Sequence, residues 1–219
     1  SIARSTVNPF ELIIIDDNSD KETKEFLESV RVDLPGCSLK LIRNKKQMWI
    51  NHNWNIGASV ATQPYIAFLN SDITLSKGWD EALINDLKHC TISCPYEKRG
   101  GKLYGVDPLI ASCQVGMIKG MCFMIKSSDI KDLFPIPSQL FHFCGDNYLA
   151  WKAKRMEGVN LTVNATITHA VTASGRLVDR QTYNHLTIRD VLEFEKLSKL
   201  NFDPILRGLY SQIGIKYRF

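Results

Sequence analysis

The chain lacks any apolar run of about 18 residues, so no segment of its sequence reads as a membrane-spanning helix. Its start, Ser1-Ile2-Ala3-Arg4-Ser5, has no initiator Met and none of the apolar core of a signal peptide. It has no internal repeat and no low-complexity linker, and its 219 residues suffice for one sizeable core, so one domain over 1–219 is expected. Neither sign of charge dominates: 27 Lys and Arg stand against 23 Asp and Glu, which leaves no reason to expect a nucleic-acid partner. The basic run Arg43-Asn44-Lys45-Lys46 reads as a solvated loop, with a small anion-binding patch as the alternative. Six cysteines are present, but none forms a C-x-x-C pair. His89, Cys90 and Cys94 offer a zinc corner without a visible fourth ligand, so reduced, buried thiols in a cytoplasmic compartment are expected instead.

What is present is an alternation of strand-like and helix-like segments. Leu12 to Ile15 form a short apolar run that reads as a buried strand from Glu11 to Asp16, ended by two carboxylates. A helix over "KETKEFLESV" follows, with Asn18, Ser19 or Asp20 as its cap. "SLKLIR" (38–43) and "YIAFLN" (65–70) read as strands, with helical spacing of Trp54, Ala58 and Ala61 between them. Trp79, Leu83 and Leu87 mark an amphipathic helix. Beyond residue 90 the texture changes. "EKRGGKLYGVD" (97–107) suits a loop or hairpin, and Gly120 in "QVGMIKGMCFMIK" suits a close backbone approach. Pro135 and Pro137 exclude regular helix from "LFPIPSQL". A helix over "CGDNYLAWKAKRMEG" opening at Gly145-Asp146-Asn147, a strand "VNLTVNATITHAV" ending near His169, and a helix over "TIRDVLEFEKLSKL" complete the pattern.

This order predicts an α/β fold with a mostly parallel, Rossmann-type sheet flanked by helices. Ligands of such sheets gather at the carboxyl ends of strands, where Asp16-Asp17 and Asn70-Ser71-Asp72 fall. A hard divalent cation that keeps waters and phosphate oxygens needs only one or two protein carboxylates. Asp72 is the first candidate ligand, and His169 a second that suits Mn²⁺ better than Mg²⁺. Asp146 opens a helix, where it serves either as a general base or simply as the cap.

The stretches "FELIIIDDNSDKET", "NWNIGASVATQPYIAFLNSDITLSKGWDEAL", "GDNYLAWKAKRMEG" and "THAVTAS" together resemble the family 2 inverting glycosyltransferases of the GT-A fold, over about residues 1 to 175. The resemblance implies a nucleotide-diphosphate sugar as donor, a hydroxyl acceptor on a glycan or lipid-linked sugar, and Mn²⁺ or Mg²⁺ as cofactor. It implies that Asp17 meets the nucleobase and that Asn70-Ser71-Asp72 stands for the DxD motif, with Asp72 on the metal. Asp146 would be the base, His169 would complete the metal site, and Asp16, Asn55 and Gly120 would belong with the donor contacts.

The chain departs from the family pattern at three points. Asn70 replaces the first Asp of DxD, and Gly145 replaces the first acid before Asp146. "SIARSTVNPFEL" resembles the tail of the helix that follows the family's first strand, so the chain begins about one strand and half a helix late. That departure keeps a non-catalytic, glycosyltransferase-like binding domain open as an alternative. A nucleotidyltransferase, which would need a Gly-rich phosphate loop not seen here, is the weaker one. The segment 176–219 reads as helical. Its end, "LNFDPILRGLYSQIGIKYRF", packs on its own domain or makes a peripheral membrane contact.

Overall fold

Two parallel strands open the structure, a computed structural model that describes residues 1–104, 118, 120–170 and 180–212. Of the segments singled out above, residues 105–107, 114–117, 119, 171–179 and 213–219 lie outside the described residues. After a short helix α1 (Ile2–Ser5), β1 (Glu11–Asp16) leads through α2 (Lys21–Ser29) into β2 (Ser38–Arg43), and β1 and β2 pair in parallel from Glu11↔Ser38 to Asp16↔Arg43. Asp20 is the residue that caps α2, accepting from the Thr23 N–H at 2.8 Å. Helix α3 (Ile50–Val60) then crosses to β3 (Tyr65–Leu69) and β4 (Ile73–Leu75), followed by α4 (Trp79–Asp86), β5 (Ile92–Arg99) and β6 (Lys102–Tyr104). Next come β7 (Cys122–Lys126), α5 (Ile130–Leu133), α6 (Gly145–Ala153), β8 (Val159–His169), α7 (Arg180–Ser198) and α8 (Asp203–Gln212).

The expected α/β architecture is present, and its sheet is mixed. β1–β2 and β5–β8 pair in parallel, whereas β3–β7, β5–β7, β5–β6 and β4–β8 are antiparallel. The hairpin β5–β6 turns at Gly100-Gly101, both at positive φ (52° and 81°), a geometry glycine adopts without steric cost. The larger sheet runs β3-β7-β5-β8-β4. Period-2 alternation lets β7, which lies between β3 and β5, serve both faces of the sheet. Phe123 and Ile125 enter the core with Trp54, Phe68, Leu149 and Phe194, while Cys122 and Met124 face Trp79, Leu83 and Leu87 of the α4 layer. Phe123 is fully buried, stacked on Phe68 at 4.8 Å with the Trp54 edge at 5.0 Å.

β1 differs from the expected buried strand: Glu11 to Ile15 are only half-buried, and Asp16 alone is buried. The reason is its neighbourhood. Among the described strands β1 pairs only with β2, and β3 only with β7, so each has an edge without a partner. Helix α3 packs beside both, with Gly57 against Ile15 and Phe68. Among the described residues no helix is long and apolar enough to cross a membrane.

Candidate active site

The two carboxylates that end β1 take different directions. Asp16 accepts the Ser19 N–H at 2.9 Å and pairs with the Arg43 guanidinium, its partner in register on β2. Burial alone would raise its pKa, but the Ser19 and Arg43 contacts outweigh that and hold it below the ordinary carboxylate value. Asp17 instead gathers the loop between β2 and α3. It accepts from Asn44 Nδ2 (2.8 Å), Met48 N (2.8 Å) and Trp49 N (2.9 Å). So held, Trp49 sits at φ 67°, ψ 167°, in backbone space that is essentially glycine-only.

Helix α3 grips the segment ahead of α6. The Asn55 amide donates to the Ile136 carbonyl and accepts its N–H, both at 2.8 Å, so both polar groups of this predicted donor contact are engaged by the protein itself. One turn earlier, buried Asn51 donates to the carbonyls of Leu140 (3.2 Å) and Phe143 (3.0 Å). From the other side Asp190 of α7, fully buried, accepts three consecutive N–H groups on one oxygen: Phe141 at 3.0 Å, His142 at 2.6 Å and Phe143 at 2.7 Å. Arg189 holds its second oxygen at 2.8 Å.

This clamped loop delivers Asp146. Cys144 (φ 59°) is the residue before α6, so Asp146 lies inside the first turn and is not the cap. A Cβ on Gly145 would lie 1.9 Å from Asn51 Oδ1, which is why no acidic side chain fits there. Asp146 accepts the Asn147 N–H at 2.8 Å and also the Gly120 N–H. Burial pushes its pKa up to about 6, against those backbone donors. Gly120 supplies the close approach expected of it: a Cβ there would stand 2.8 Å from Asp146 Oδ2.

The third group lies in the turn from β3 to β4. The Asn70 N–H donates to the Met121 carbonyl at 2.9 Å, which places the turn one residue from Gly120 and hence beside Asp146. Ser71 is exposed. Asp72 Oδ1 lies 3.1 Å from His169 Nε2, and both side chains are mostly buried, at 17% and 16% exposure. Asn70 Oδ1 is buried and without a hydrogen-bond partner among the described residues. An unsatisfied oxygen two residues before the carboxylate of a carboxylate–imidazole pair fits a cation or a ligand hydroxyl. Among the described residues no three His, Cys, Asp or Glu converge, so a cation there would draw its remaining ligands from substrate or water. The described cysteines take no part. Burial, then the Asp86 charge, pushes Cys90 up to about 11, and burial raises Cys122 and Cys144 further.

The structure therefore joins Asn70, Gly120 and Asp146 through backbone contacts and pairs Asp72 with His169, while Asp16 and Asn55 serve the scaffold. Asn51 and Asp190 escaped the sequence reading. For Asp190 the sequence hints only at burial, as a charge on the helix face it shares with Val191 and Phe194, and gives no sign of its N–H partners.

The sequence profile of "Glycosyl transferase family 2" matches residues 1–132. The chain is 31% identical over 88 residues to polypeptide N-acetylgalactosaminyltransferase 11 of Xenopus tropicalis, a match covering 39% of this chain and 15% of that protein. It is 32% identical over 89 residues to a probable N-acetylgalactosaminyltransferase 6 of Caenorhabditis elegans, covering 39% and 14%. Among solved structures it resembles GalNAc-T7 with UDP, GalNAc and Mn²⁺ (TM-score 0.64, 16% identity, 94% of this chain and 48% of that one). It also resembles the mannosyltransferase PcManGT from Pyrobaculum calidifontis with GDP-Man and Mn²⁺ (0.61, 14%, 93% and 59%), and S. aureus TarS 1–349 with UDP-GlcNAc (0.60, 14%, 97% and 65%). These likenesses show the GT-A fold, and the chain spans 15% of the first of these curated relatives and 48% of the first solved chain. With a profile matching residues 1–132 of its 219, the chain belongs to glycosyl transferase family 2.

Proposed function

We propose that the chain moves a hexose or deoxyhexose from a nucleotide-diphosphate sugar to a hydroxyl of a glycan or lipid-linked acceptor, with inversion at the anomeric carbon. The observation that carries this reading is the backbone step from Asn70 through Met121 and Gly120 to Asp146, which sets a carboxylate of pKa about 6 beside the DxD-like turn. A base with a pKa near working pH is mostly ionised yet still a useful proton acceptor. Asp146 takes the proton of the acceptor hydroxyl, whose oxygen forms the new bond to the anomeric carbon as the bond to the diphosphate breaks. Asp72 and His169, with the unpaired Asn70 oxygen, would hold a divalent cation. When bound, that ion neutralises charge on the leaving diphosphate. The relatives named above as N-acetylgalactosaminyltransferases, and the neighbours solved with UDP-GlcNAc or GDP-Man, support this donor class.

One observation favours a second reading, a domain that binds without turnover: Asp17 already accepts three N–H groups from its own loop. Turnover separates the two. Nucleoside diphosphate release is measured with UDP-GalNAc, UDP-GlcNAc and GDP-Man, with Mn²⁺ and pooled methyl glycosides, and the product anomer is read by NMR. Release with an inverted product is expected; no release from any donor supports the binding domain.

Two variants refine the assignment. Asp72→Ala should raise the Mn²⁺ concentration for half-maximal rate by about tenfold or more, the scale on which single partners of metal sites act. An unchanged metal dependence removes Asp72 from the cation. Gly120→Ala should lower the rate by about 100-fold, because displacing a catalytic group by roughly an ångström has effects of that size. Its circular dichroism should stay that of wild type, since the new methyl meets the end of the Asp146 side chain. A wild-type rate would show that the base is not held against Gly120.

A further inference from the structure

Beside the Asp146 turn runs a row of three rings that the chemistry above does not use. Trp49 meets His142 edge-to-face, with centroids 5.5 Å apart at 68°, and His142 meets Tyr183 at 4.9 Å and 79°. Each of the three is only partly buried. Among the described residues nothing pairs with the Trp49 indole N–H, the His142 ring nitrogens or the Tyr183 hydroxyl. The row is fixed at its first and middle members. The Trp49 N–H is held by Asp17 at 2.9 Å and the His142 N–H by Asp190 at 2.6 Å. At the far end, burial and then the Asp146 charge raise the pKa of Tyr183, so this hydroxyl lies within the field of the base. Burial lowers that of His142, partly offset by the Asp190 charge.

Successive rings at near right angles make a corner, not the parallel slot that a flat nucleobase needs. A corner suits a puckered ring whose one face carries C–H groups and whose rim carries hydroxyls. The electron-rich ring faces attract the slightly positive C–H groups, and the unpaired N–H, O–H and ring nitrogen meet the hydroxyls. Trp49 adds a further sign of selection for contact. Its backbone angles are those glycine adopts freely, so its side chain is held at a conformational cost.

We propose that Trp49, His142 and Tyr183 form the subsite for the acceptor's pyranose ring and present its hydroxyl to Asp146. The proposal rests on the glycosyltransferase reading above, and the test separates the two. Saturation-transfer NMR is run with the methyl pyranosides of glucose, galactose, mannose, N-acetylglucosamine and N-acetylgalactosamine, in Mg²⁺ with UDP or GDP. A Ser/Thr peptide serves as the unsugared comparison, and nucleotide binding is measured in parallel by calorimetry. Ring protons of at least one pyranoside should receive saturation from the wild-type chain. Trp49→Gly and Tyr183→Ala should each reduce that signal by about fivefold, the scale of one aromatic contact. Nucleotide affinity should not change. The unfolding temperature of Trp49→Gly should stay within a few degrees of wild type, because glycine fits the local backbone. No saturation of any pyranoside, saturation of the peptide alone, or full signal in both variants would overturn the subsite. Loss of nucleotide affinity in Trp49→Gly would overturn it too, by making the row part of the donor pocket. Pyranoside binding without any nucleotide binding upholds the subsite and overturns the donor reading instead.

Discussion

Asp146→Asn will abolish sugar transfer and make the protein more stable. The loss follows from removing the base, worth about 10²–10⁴ in rate. The gain follows from the same burial that tunes it. In the fold the Asp146 pKa is about 6, against an ordinary 3.8. A carboxylate whose folded pKa is raised favours the protonated state, so its contribution to stability is fully present below about pH 4 and lost as pH rises through 6. That difference corresponds to about 3 kcal/mol at neutral pH. The neutral amide keeps an oxygen for the Asn147 and Gly120 N–H groups without the partly buried charge. By the usual scaling for a chain of this size, the variant should melt about 6–12 °C higher at pH 8, with the difference vanishing near pH 4. Scanning calorimetry at both pH values checks this, and equal melting temperatures at pH 8 would show a solvated carboxylate. In the wild type the transfer rate should climb about tenfold per pH unit below 6 and level off above it.

Asp190→Ala should cripple the fold itself. One buried oxygen receives three consecutive backbone N–H groups, and the other receives Arg189. Removing the carboxylate strands the three N–H groups beside a position that is 0% exposed, while Arg189, its side chain 42% exposed, can turn to water. Breaking a buried charged network of this kind costs about 3–5 kcal/mol, a large part of the 5–15 kcal/mol that typically separates folded from unfolded chains. Asp190→Asn keeps an acceptor oxygen but loses the charge that roughly doubles such bonds. It should stay folded, at a cost of about 1–3 kcal/mol. Urea titration followed by far-ultraviolet circular dichroism ranks the three proteins. Alanine and asparagine variants of equal stability would mean that the N–H groups find other partners.

The contrast between Asp146 and Asp190 shows what the sequence discloses. Asp146 is legible because it opens a helix after a proline-broken segment, at the point where chemistry gathers in α/β folds. β1 and β2 are legible to the residue, because an apolar run closed by polar residues and an apolar–polar alternation are both local signals. Asp190 works through N–H groups 47 to 49 residues earlier in the chain, and backbone groups leave no mark on a sequence. Gly145 reads as a missing acid until the Asn51 amide is seen against it. Strand direction is equally hidden. The antiparallel pairing of β3 with β7 depends on how the chain returns to the sheet, not on the composition of either strand. The adjacent Asp16 and Asp17 look alike in sequence, and only the partner Arg43 and the 44–49 loop tell them apart.

Nucleotide binding by calorimetry tests the central claim most directly, with UDP, GDP and dTDP each titrated with and without Mn²⁺. One diphosphate should bind measurably with the metal and lose its heat of binding when the metal is withheld. No binding by any of the three, with or without Mn²⁺, would contradict a donor site built on Asp72 and His169.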